Sequence, residues 1–201
     1  MFELIKLHNK TSRNVKKWSE IAKTAKAMVK WLDDTNGEFK GQHNSAYAVH
    51  HTQVSEEPYN FFVVAEQMCQ KPDEKKNITE ENYVFPARII INPKVVKKEK
   101  VLMSKEPNKI KKIDEETGKE YVDIEWKDKE VKNKITVKEG CMSFPHRKSK
   151  NVQRYYRVTV RYQIKTLIGL KEVEETIEGV KAHIFQHECD HAKGNNIFYD
   201  K

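Results

Sequence analysis

The chain has 201 residues, of which 37% are apolar and 34% charged, so it is long enough to bury a core and is not composed like a disordered protein. It has no run of about 18 apolar residues, which excludes a helical membrane span, and its three widely separated cysteines exclude a disulfide framework and indicate a reducing compartment. The net charge of +8 comes mostly from lysine, whereas base and phosphate readers favour arginine, so sequence-specific nucleic-acid binding is not expected.

A helix is predicted near each end of the chain. Apolar side chains recur at three- and four-residue steps over residues 15–34, which is typical of an amphipathic helix, and the segment 33–37 supplies a stop signal. A second helix is predicted from about Glu178 to Lys193, with Gly194 as its C-terminal stop.

The middle of the chain alternates between β-type runs and charged loops. The predicted strands are residues 60–65, 88–92, 121–126, 134–138, 154–170 and 172–177. The predicted loops are residues 37–45, 70–82 and the turn-rich, weakly structured stretch 104–119. Asn92-Pro93 is expected to end the second strand, and the third and fourth strands are expected to pair as a hairpin. This order of elements predicts an α+β fold.

The most informative segment is Gln186–His191, which reads QHECDH and contains an HExxH pattern. Positions i and i+4 share one face of a helix, so the imidazoles of His187 and His191 converge on one point and suit zinc, iron, cobalt or nickel. Glu188 lies one step round the helix. From there it reaches a water on the metal without being a ligand, as a general base must.

A catalytic site of this kind usually has a third protein ligand. Only ten residues follow His191, which leaves little room for a downstream acidic ligand, and Ile197 stands where an extended HExxHxxGxxH pattern requires a histidine. The third ligand is therefore expected upstream. The candidates are Cys141, His50, His51, His146 and His183. Gly140 is expected to let the backbone beside Cys141 approach another element closely.

Two motifs, EGCMS at residues 139–143 and QHECDH at residues 186–191, together resemble the signature of the peptide deformylase family. The family also has an upstream GxGxAAxQ motif, and an altered form of it, AYAVHHTQ, stands at residues 46–53 just after the first predicted helix. IINP at residues 90–93 is similar to the INP segment of the family. The resemblance holds in order and spacing from about residue 4 to residue 198.

The resemblance implies a fold and a metal centre. Antiparallel β-sheets would pack around a central C-terminal helix carrying HExxH, with an N-terminal helix, in a single domain over residues 1–201. The charged stretch at about residues 104–134 would be a surface insertion, with a β-hairpin as one form that it could take. One divalent metal ion, usually iron(II) in the cell with zinc, nickel or cobalt as substitutes, would be held by Cys141, His187 and His191.

The resemblance also implies a reaction, the hydrolytic removal of the formyl group from the N-terminal formylmethionine of newly made polypeptides, with release of formate. Glu188 would act as general base and acid. The side-chain amide of Gln53 and the backbone N–H of Met142 would donate hydrogen bonds to the developing oxyanion.

The implied partners follow from this reaction. Nascent N-formylmethionyl peptides would be the substrates, and the ribosome surface is an expected partner of a lysine-rich chain. A monomer without a membrane partner is expected in the cytoplasm, or in the host cytoplasm if a phage encodes the chain.

The altered first motif is where the sequence departs from the family. Ala46 and Ala48 replace its glycines, and His50 and His51 replace its paired alanines. Three outcomes are open for the two imidazoles: they face away from the site as tolerated substitutions, they reshape the pocket, or one of them approaches the metal as an extra ligand.

Two further expectations concern the predicted metal helix. Cys189 is expected to be a packed core thiol. Asp190 is expected to orient a histidine or to pair with a basic residue, with Arg154 as a candidate.

Two alternatives remain open. An HExxH metallopeptidase would have a ligand set without Cys141 and a long open cleft. A non-catalytic deformylase-like binding protein is favoured only by His50 and His51, and all the metal-site residues and Glu188 are retained against it.

Overall fold

A computed structural model describes eight parts of the chain. They are residues 10–38, 46–69, 85–99, 102–113, 118, 120–130, 134–144 and 147–198. The predicted loop 70–82 and most of the predicted loop 37–45 lie outside these residues. In the described part of the chain, neither helix is long and apolar enough to cross a bilayer.

The described residues form two α-helices and nine strands. The helices are α1 (Ala22–Glu38) and α2 (Gly179–Ala192). The strands are β1 (Ala48–His50), β2 (Phe61–Val64), β3 (Ile89–Glu99), β4 (Leu102–Ile113), β5 (Glu120–Glu130), β6 (Lys134–Glu139), β7 (Lys150–Tyr155), β8 (Arg157–Thr166) and β9 (Gly169–Glu178). A five-stranded sheet has the order β1-β2-β3-β8-β9, and two-stranded sheets are formed by β4-β5 and β6-β7. All of these pairings are antiparallel, so the predicted α+β fold is confirmed.

The prediction for the N-terminal helix was right in kind but wrong in its bounds. A 3₁₀ turn at Trp18–Glu20 precedes α1, and the helix then runs through the predicted stop to Glu38. Asn36, within that stop segment, stays helical while its side-chain amide exchanges two 2.9 Å hydrogen bonds with the backbone of Ala46. These bonds to Ala46 stabilise Asn36, a residue type that usually favours turns, within the helix.

Strand β3 continues through Asn92-Pro93 instead of ending there. Asn92 has a φ of 52°, and the register against β8 shifts between Ile91 and Lys94. A bulge of this kind accommodates proline, which has no N–H to donate to the ladder. The Asn92 side chain then binds both the N–H and the carbonyl oxygen of Val15 at 2.8 Å and ties the N-terminal segment to the sheet.

The predicted strand pairing in the charged middle of the chain was wrong. Residues 121–126 lie in β5, which pairs with β4, while β6 pairs with β7. Residues 102–113, largely predicted as a weakly structured loop, form β4. Their charge-rich sequence lacks the alternation of apolar residues that marks a half-buried strand. In the part of the chain that the structure describes, β4 and β5 form a separate two-stranded sheet. A surface insertion at 104–134 within a single domain stays a prediction.

Helix α2 begins and ends at glycines with positive φ. Gly179 (φ 60°) turns the chain out of β9, and its N–H donates to the carbonyl of Tyr156 at 3.0 Å. Gly194 (φ 75°) follows the helix, and its N–H donates to the carbonyl of His191 at 2.9 Å. The predicted C-terminal stop is confirmed, since a left-handed residue after a helix is one that glycine adopts without a steric penalty.

One face of α2 lies in the hydrophobic core. Ala182, Phe185 and Cys189 are buried, and Cys189 is the packed thiol that was expected. The ring of Phe185 meets Phe62 of β2 edge-on at 5.7 Å and Tyr162 of β8 at 5.8 Å between centroids. This packing anchors α2 between strands and fixes where its remaining side chains point.

Candidate active site

The two histidines of the HExxH pattern meet on one face of α2. The Nε2 atoms of His187 and His191 are 3.2 Å apart, and their ring centroids are 4.8 Å apart. The i and i+4 spacing therefore produces the convergence that the sequence predicts.

Cys141 completes the group from a different part of the chain. It follows β6, it is buried, and its Sγ lies 3.4 Å from His191 Nε2. The ligand atoms of Cys141, His187 and His191 all lie within 4.8 Å of one another. Among the described residues, this is the cluster of histidine, cysteine and acidic side chains that fits one metal ion.

The expectation for Gly140 was wrong. A Cβ placed on Gly140 meets no atom of another element within 4 Å, and its φ is not among the positive values of the described residues. The site therefore imposes no steric need for glycine at this position, and the structure gives no physical reason for it.

The donor set fits a divalent cation. Metal–ligand bonds of about 2.0–2.3 Å in a tetrahedral arrangement separate neighbouring donor atoms by about 3.3–3.6 Å, close to the spacings found here. One thiolate and two imidazoles suit iron, zinc, nickel or cobalt better than a hard oxygen-seeking ion. In the absence of a metal, burial lowers the pKa of His187, but hydrogen bonds to Cys141 and Glu139 outweigh burial and raise that pKa to about 10.

A buried carboxylate orients His187 from behind. Glu139 Oε2 lies 3.0 Å from His187 Nδ1, which leaves Nε2 facing the cluster. Arg154 binds both oxygens of Glu139 at 2.8 Å and reaches Asp190 Oδ2 at 2.5 Å. Burial raises the pKa of Glu139, but its bonds to Arg154 and His187 prevail and hold that pKa at about 2.

This network confirms the expected pair of Asp190 with Arg154. The part played by Glu139 was missed, although the residue is the first of the EGCMS motif. The signal lay in its position two residues before a candidate ligand, since metal-binding imidazoles usually have a carboxylate or carbonyl on the far ring nitrogen.

Glu188 stands beside the cluster in a low-dielectric setting. Its side chain is only 3% exposed, and Oε2 has no hydrogen-bond partner among the residues that the structure describes. Burial, opposed by the charge of His187, raises the pKa of its carboxyl to about 7. A carboxyl with such a pKa exchanges protons readily at neutral pH.

Gln53 reaches the cluster from the 3₁₀ turn His51–Gln53. Its Nε2 donates to Ser143 Oγ at 2.8 Å and lies 3.9 Å from Cys141 Sγ. Met142 directly follows Cys141 and packs, half-buried, against the hydrophobic core. The structure thus brings both predicted oxyanion donors next to the thiol, while their roles stay predictions.

The two histidines of the altered motif are buried but bond elsewhere. The nitrogens of His50 face Thr52 and Asn60, at 3.0 Å from Thr52 Oγ1 and 3.4 Å from Asn60 Oδ1. His51 accepts the N–H of Tyr59 at 2.9 Å and stacks on the ring of Phe61. Neither residue belongs to the metal-ligand cluster of the described residues. They are buried, hydrogen-bonded side chains and not members of that cluster.

The other candidate ligands also lie outside the cluster. His183 is half-buried one turn before His187 on α2, and His146 falls outside the described residues. Gln186, whose contacts were not foreseen, pairs through its amide with both the N–H and the carbonyl of Tyr155, at 3.0 and 2.8 Å. This bond joins α2 to the end of β7, and so supports the Arg154 network.

The fold and the Cys141–His187–His191 cluster define a class of proteins built to hold one metal ion between a helix and antiparallel sheets. The sequence model of the family described as polypeptide deformylase matches residues 5–201. The chain therefore belongs to the peptide deformylase family.

Curated relatives match shorter segments. The peptide deformylase of Aquifex aeolicus is 46% identical over 70 residues, which are 33% of this chain and 37% of that protein. Peptide deformylase 2 of Bacillus cereus is 42% identical over 62 residues, 31% of this chain and 32% of that protein. The alignments thus span about a third of the length of these relatives.

Solved structures match nearly the whole chain. The peptide deformylase of Thermotoga maritima has a TM-score of 0.56 and 23% identity, covering 98% of this chain and 95% of that one. A probable peptide deformylase from Synechococcus phage S-SSM7 has a TM-score of 0.58 and 17% identity, covering 98% and 97%. These likenesses show that the fold is shared.

Proposed function

We propose that this chain is a metal-dependent peptide deformylase, which hydrolyses the formamide of N-formylmethionyl peptides to formate and a free amino terminus. The observation that supports this most strongly is the convergence of Cys141 Sγ with the Nε2 atoms of His187 and His191 beside buried Glu188. Family membership supports the same reaction.

The proposed metal site consists of Cys141, His187 and His191. Iron(II) is the proposed ion, with zinc, nickel or cobalt as substitutes, since the mixed sulfur and nitrogen donors suit all of them. The chemistry that a metal ion would supply there is to lower the pKa of a coordinated water and to polarise the formyl carbonyl. Glu139 keeps the His187 ring in the orientation that leaves Nε2 for this ion.

Glu188 is the proposed proton carrier. It takes the proton of the attacking water on its carboxylate and delivers it to the departing amine, so that one group acts first as base and then as acid. Its pKa of about 7 suits both directions of transfer. The enclosed position keeps bulk water from competing for the proton.

Two donors are proposed to stabilise the oxyanion that forms as water adds to the formyl carbon. They are Gln53 Nε2, which lies 3.9 Å from Cys141 Sγ, and the backbone N–H of Met142, the residue that directly follows Cys141. Each donor of this kind contributes about 3 kcal/mol to transition-state stabilisation.

The substrate class and setting are proposed on the same basis. A nascent N-formylmethionyl polypeptide would supply the formamide, and the net charge of +8 would favour encounters with an anionic surface such as a ribosome. The cytoplasmic location and the monomeric state stay predictions.

The alternatives fit the geometry less well. A metallopeptidase would have a ligand set without Cys141, whose sulfur lies in the cluster. The non-catalytic alternative depended on His50 and His51, which bond to Thr52 and Tyr59 rather than to the cluster.

The test is formate release from a formyl-Met tripeptide by anaerobically purified, iron-loaded protein. Wild type is expected to release formate. Glu188→Ala is expected to retain its metal and to lose about 10²–10⁴-fold in turnover, since it removes only proton transfer. Wild type that carries one metal per chain and releases no formate would instead support the non-catalytic alternative.

A further inference from the structure

His50 occupies the position just before the 3₁₀ turn that carries Gln53. It ends β1 with extended backbone angles (φ −84°, ψ 149°), and its side chain is completely buried. The N–H of Thr52 donates to the imidazole Nδ1 at 3.1 Å. A side chain that accepts a backbone N–H from this position is an N-cap, a place where asparagine, aspartate, serine and threonine are the usual residues.

The cap is reciprocal. The backbone N–H of His50 donates to Gln53 Oε1 at 2.7 Å, so the turn has the two bonds of a capping box. With its oxygen engaged, the carboxamide of Gln53 presents its NH₂ group to Ser143 Oγ and to Cys141 Sγ. A carboxamide rotated by half a turn would present an acceptor to the oxyanion instead of a donor.

We propose that His50 is a positioning residue, whose imidazole caps the His51–Gln53 turn and thereby aims Gln53 Nε2 at the reaction site. This inference rests on the proposed function, because it assigns the capped amide to the oxyanion. The residue acts through Gln53 and does not itself contact the metal cluster. A capping role would explain in physical terms why histidine stands here in place of the alanine of the family motif.

The contacts of the ring match the neutral imidazole that this role needs. Nδ1 lies 3.1 Å from the backbone N of Thr52 and 3.0 Å from Thr52 Oγ1, as an acceptor would, and Nε2 lies 3.4 Å from the acceptor Asn60 Oδ1. Burial lowers the pKa of His50 to about 3, so the ring stays neutral at physiological pH. His51, the nearest titratable group, is held neutral as well.

Two substitutions distinguish the hydrogen bond that the His50 imidazole accepts from the volume that it fills in the core. His50→Leu preserves apolar volume but has no acceptor, whereas His50→Asn leaves a cavity but places Oδ1 where Nδ1 stands. We expect His50→Leu to lower kcat about tenfold at unchanged KM, the size of a typical N-cap contribution. His50→Asn should restore kcat to within about twofold of wild type while unfolding at a lower urea concentration.

A double-mutant cycle shows whether the effect passes through Gln53. Gln53→Leu alone should lower kcat about 100-fold, and adding His50→Leu should lower it no further. If His50→Leu reduces kcat by the same factor in both backgrounds, the imidazole acts by another route and the inference is wrong.

A readout independent of activity is the ¹⁵N–¹H signal of the Gln53 side-chain amide in zinc-loaded protein, assigned by its loss in Gln53→Leu. The signal should shift and broaden in His50→Leu and keep its wild-type position in His50→Asn. An unchanged signal in His50→Leu would overturn the inference whether or not the protein releases formate. An inactive wild type with the expected NMR pattern would contradict the proposed function alone.

Discussion

Two pairs of neighbouring histidines, His187 with His191 and His50 with His51, have surroundings that differ in kind. His187 lies against Glu139 and Cys141, and its pKa is raised to about 10 in spite of burial. His50 and His51 accept backbone N–H groups, and burial lowers their pKa values to about 3 and about 4. Acidic and thiol neighbours favour the protonated form of His187 in the absence of a metal. Backbone donors make the second pair neutral hydrogen-bond acceptors.

The contrast teaches that burial alone does not decide what a histidine does. His50, His51 and His191 are buried and His187 is half-buried, and each pair lies in a motif that resembles part of the same family signature. The distinguishing feature is what lies opposite the ring nitrogens. Glu139 lies against Nδ1 of His187 and thereby leaves Nε2 free to bind a cation. In His50, by contrast, Nδ1 accepts the backbone N–H of Thr52, and this bond does not prepare the ring for a cation.

The largest effect on metal content and activity is expected from removing the sulfur of the Cys141–His187–His191 cluster. Cys141→Ala should reduce bound metal from about one ion per chain to a small fraction and abolish formate release, because two imidazoles alone hold the ion weakly. Cys189→Ala is the matched control, since that thiol is buried on α2 but packs in the core. Metal analysis after dialysis should show a full complement in the control. Equal metal content in both variants would contradict the ligand assignment.

A smaller loss of metal affinity is expected when Glu139, the carboxylate that binds His187 Nδ1, is replaced by a neutral amide. Glu139→Gln should weaken metal binding about 10–100-fold, since the imidazole loses the partner that fixes its orientation. Competition with a chelator measures the affinity. Glu174→Gln, which alters an exposed pair with Arg161, should leave it unchanged. Unaltered affinity in Glu139→Gln would show that this carboxylate has only a structural role.

Acidification should destabilise the protein through the second pair. Between the ordinary histidine pKa of 6.5 and the folded values of about 3 and about 4, the unfolded chain binds protons that the folded chain excludes. This contribution to stability is therefore complete above pH 6.5 and is lost as the pH falls toward the folded values.

His50→Leu removes one of these groups and should lessen the loss by up to about 1.4 kcal/mol per pH unit. Urea unfolding of wild type and His50→Leu between about pH 7.5 and about pH 5 measures the difference in the pH dependence of their free energies of unfolding. The protonation of groups that both proteins share cancels in this difference. Identical pH slopes would mean that the His50 ring is not held neutral.

The smallest effect on metal content and stability is expected from replacing His183, which lies one turn before His187 on the same helix. It has no acidic partner bound to it among the described residues, and its Nε2 has no hydrogen-bond partner there. His183→Gln should keep one metal per chain and change the free energy of unfolding by less than about 1 kcal/mol. His187→Gln, the same substitution one turn later, should lose the metal. A loss of metal in His183→Gln would add that residue to the ligand set.

The local parts of the site could be predicted from the sequence. The spacing of His187 and His191 fixes their shared helix face, and Gly194 fixes where that helix ends, because both depend on contacts within a few residues. The family resemblance then identified Cys141, whose distance from α2 no local pattern gives. Gln53 was reached in the same way, through the motif at residues 46–53.

The parts that could not be predicted depend on partners far apart in sequence. Asn92 was expected to stop a strand, but the N-terminal segment binds its side chain and the strand continues through a bulge. Strand β4 carries no apolar alternation and was taken for a loop, because its pairing with β5 is visible only in three dimensions. The orientation of His50 depends likewise on Thr52 and Asn60 and not on its own position in the motif.

The most direct test of the metal centre is X-ray absorption spectroscopy of the metal-loaded protein. Cys141, His187 and His191 as ligands predict one sulfur at about 2.3 Å and two imidazole nitrogens at about 2.0–2.1 Å from a single ion. A spectrum that needs no sulfur neighbour, or one fitted only by oxygen and nitrogen, would contradict this centre and the deformylase chemistry that depends on it.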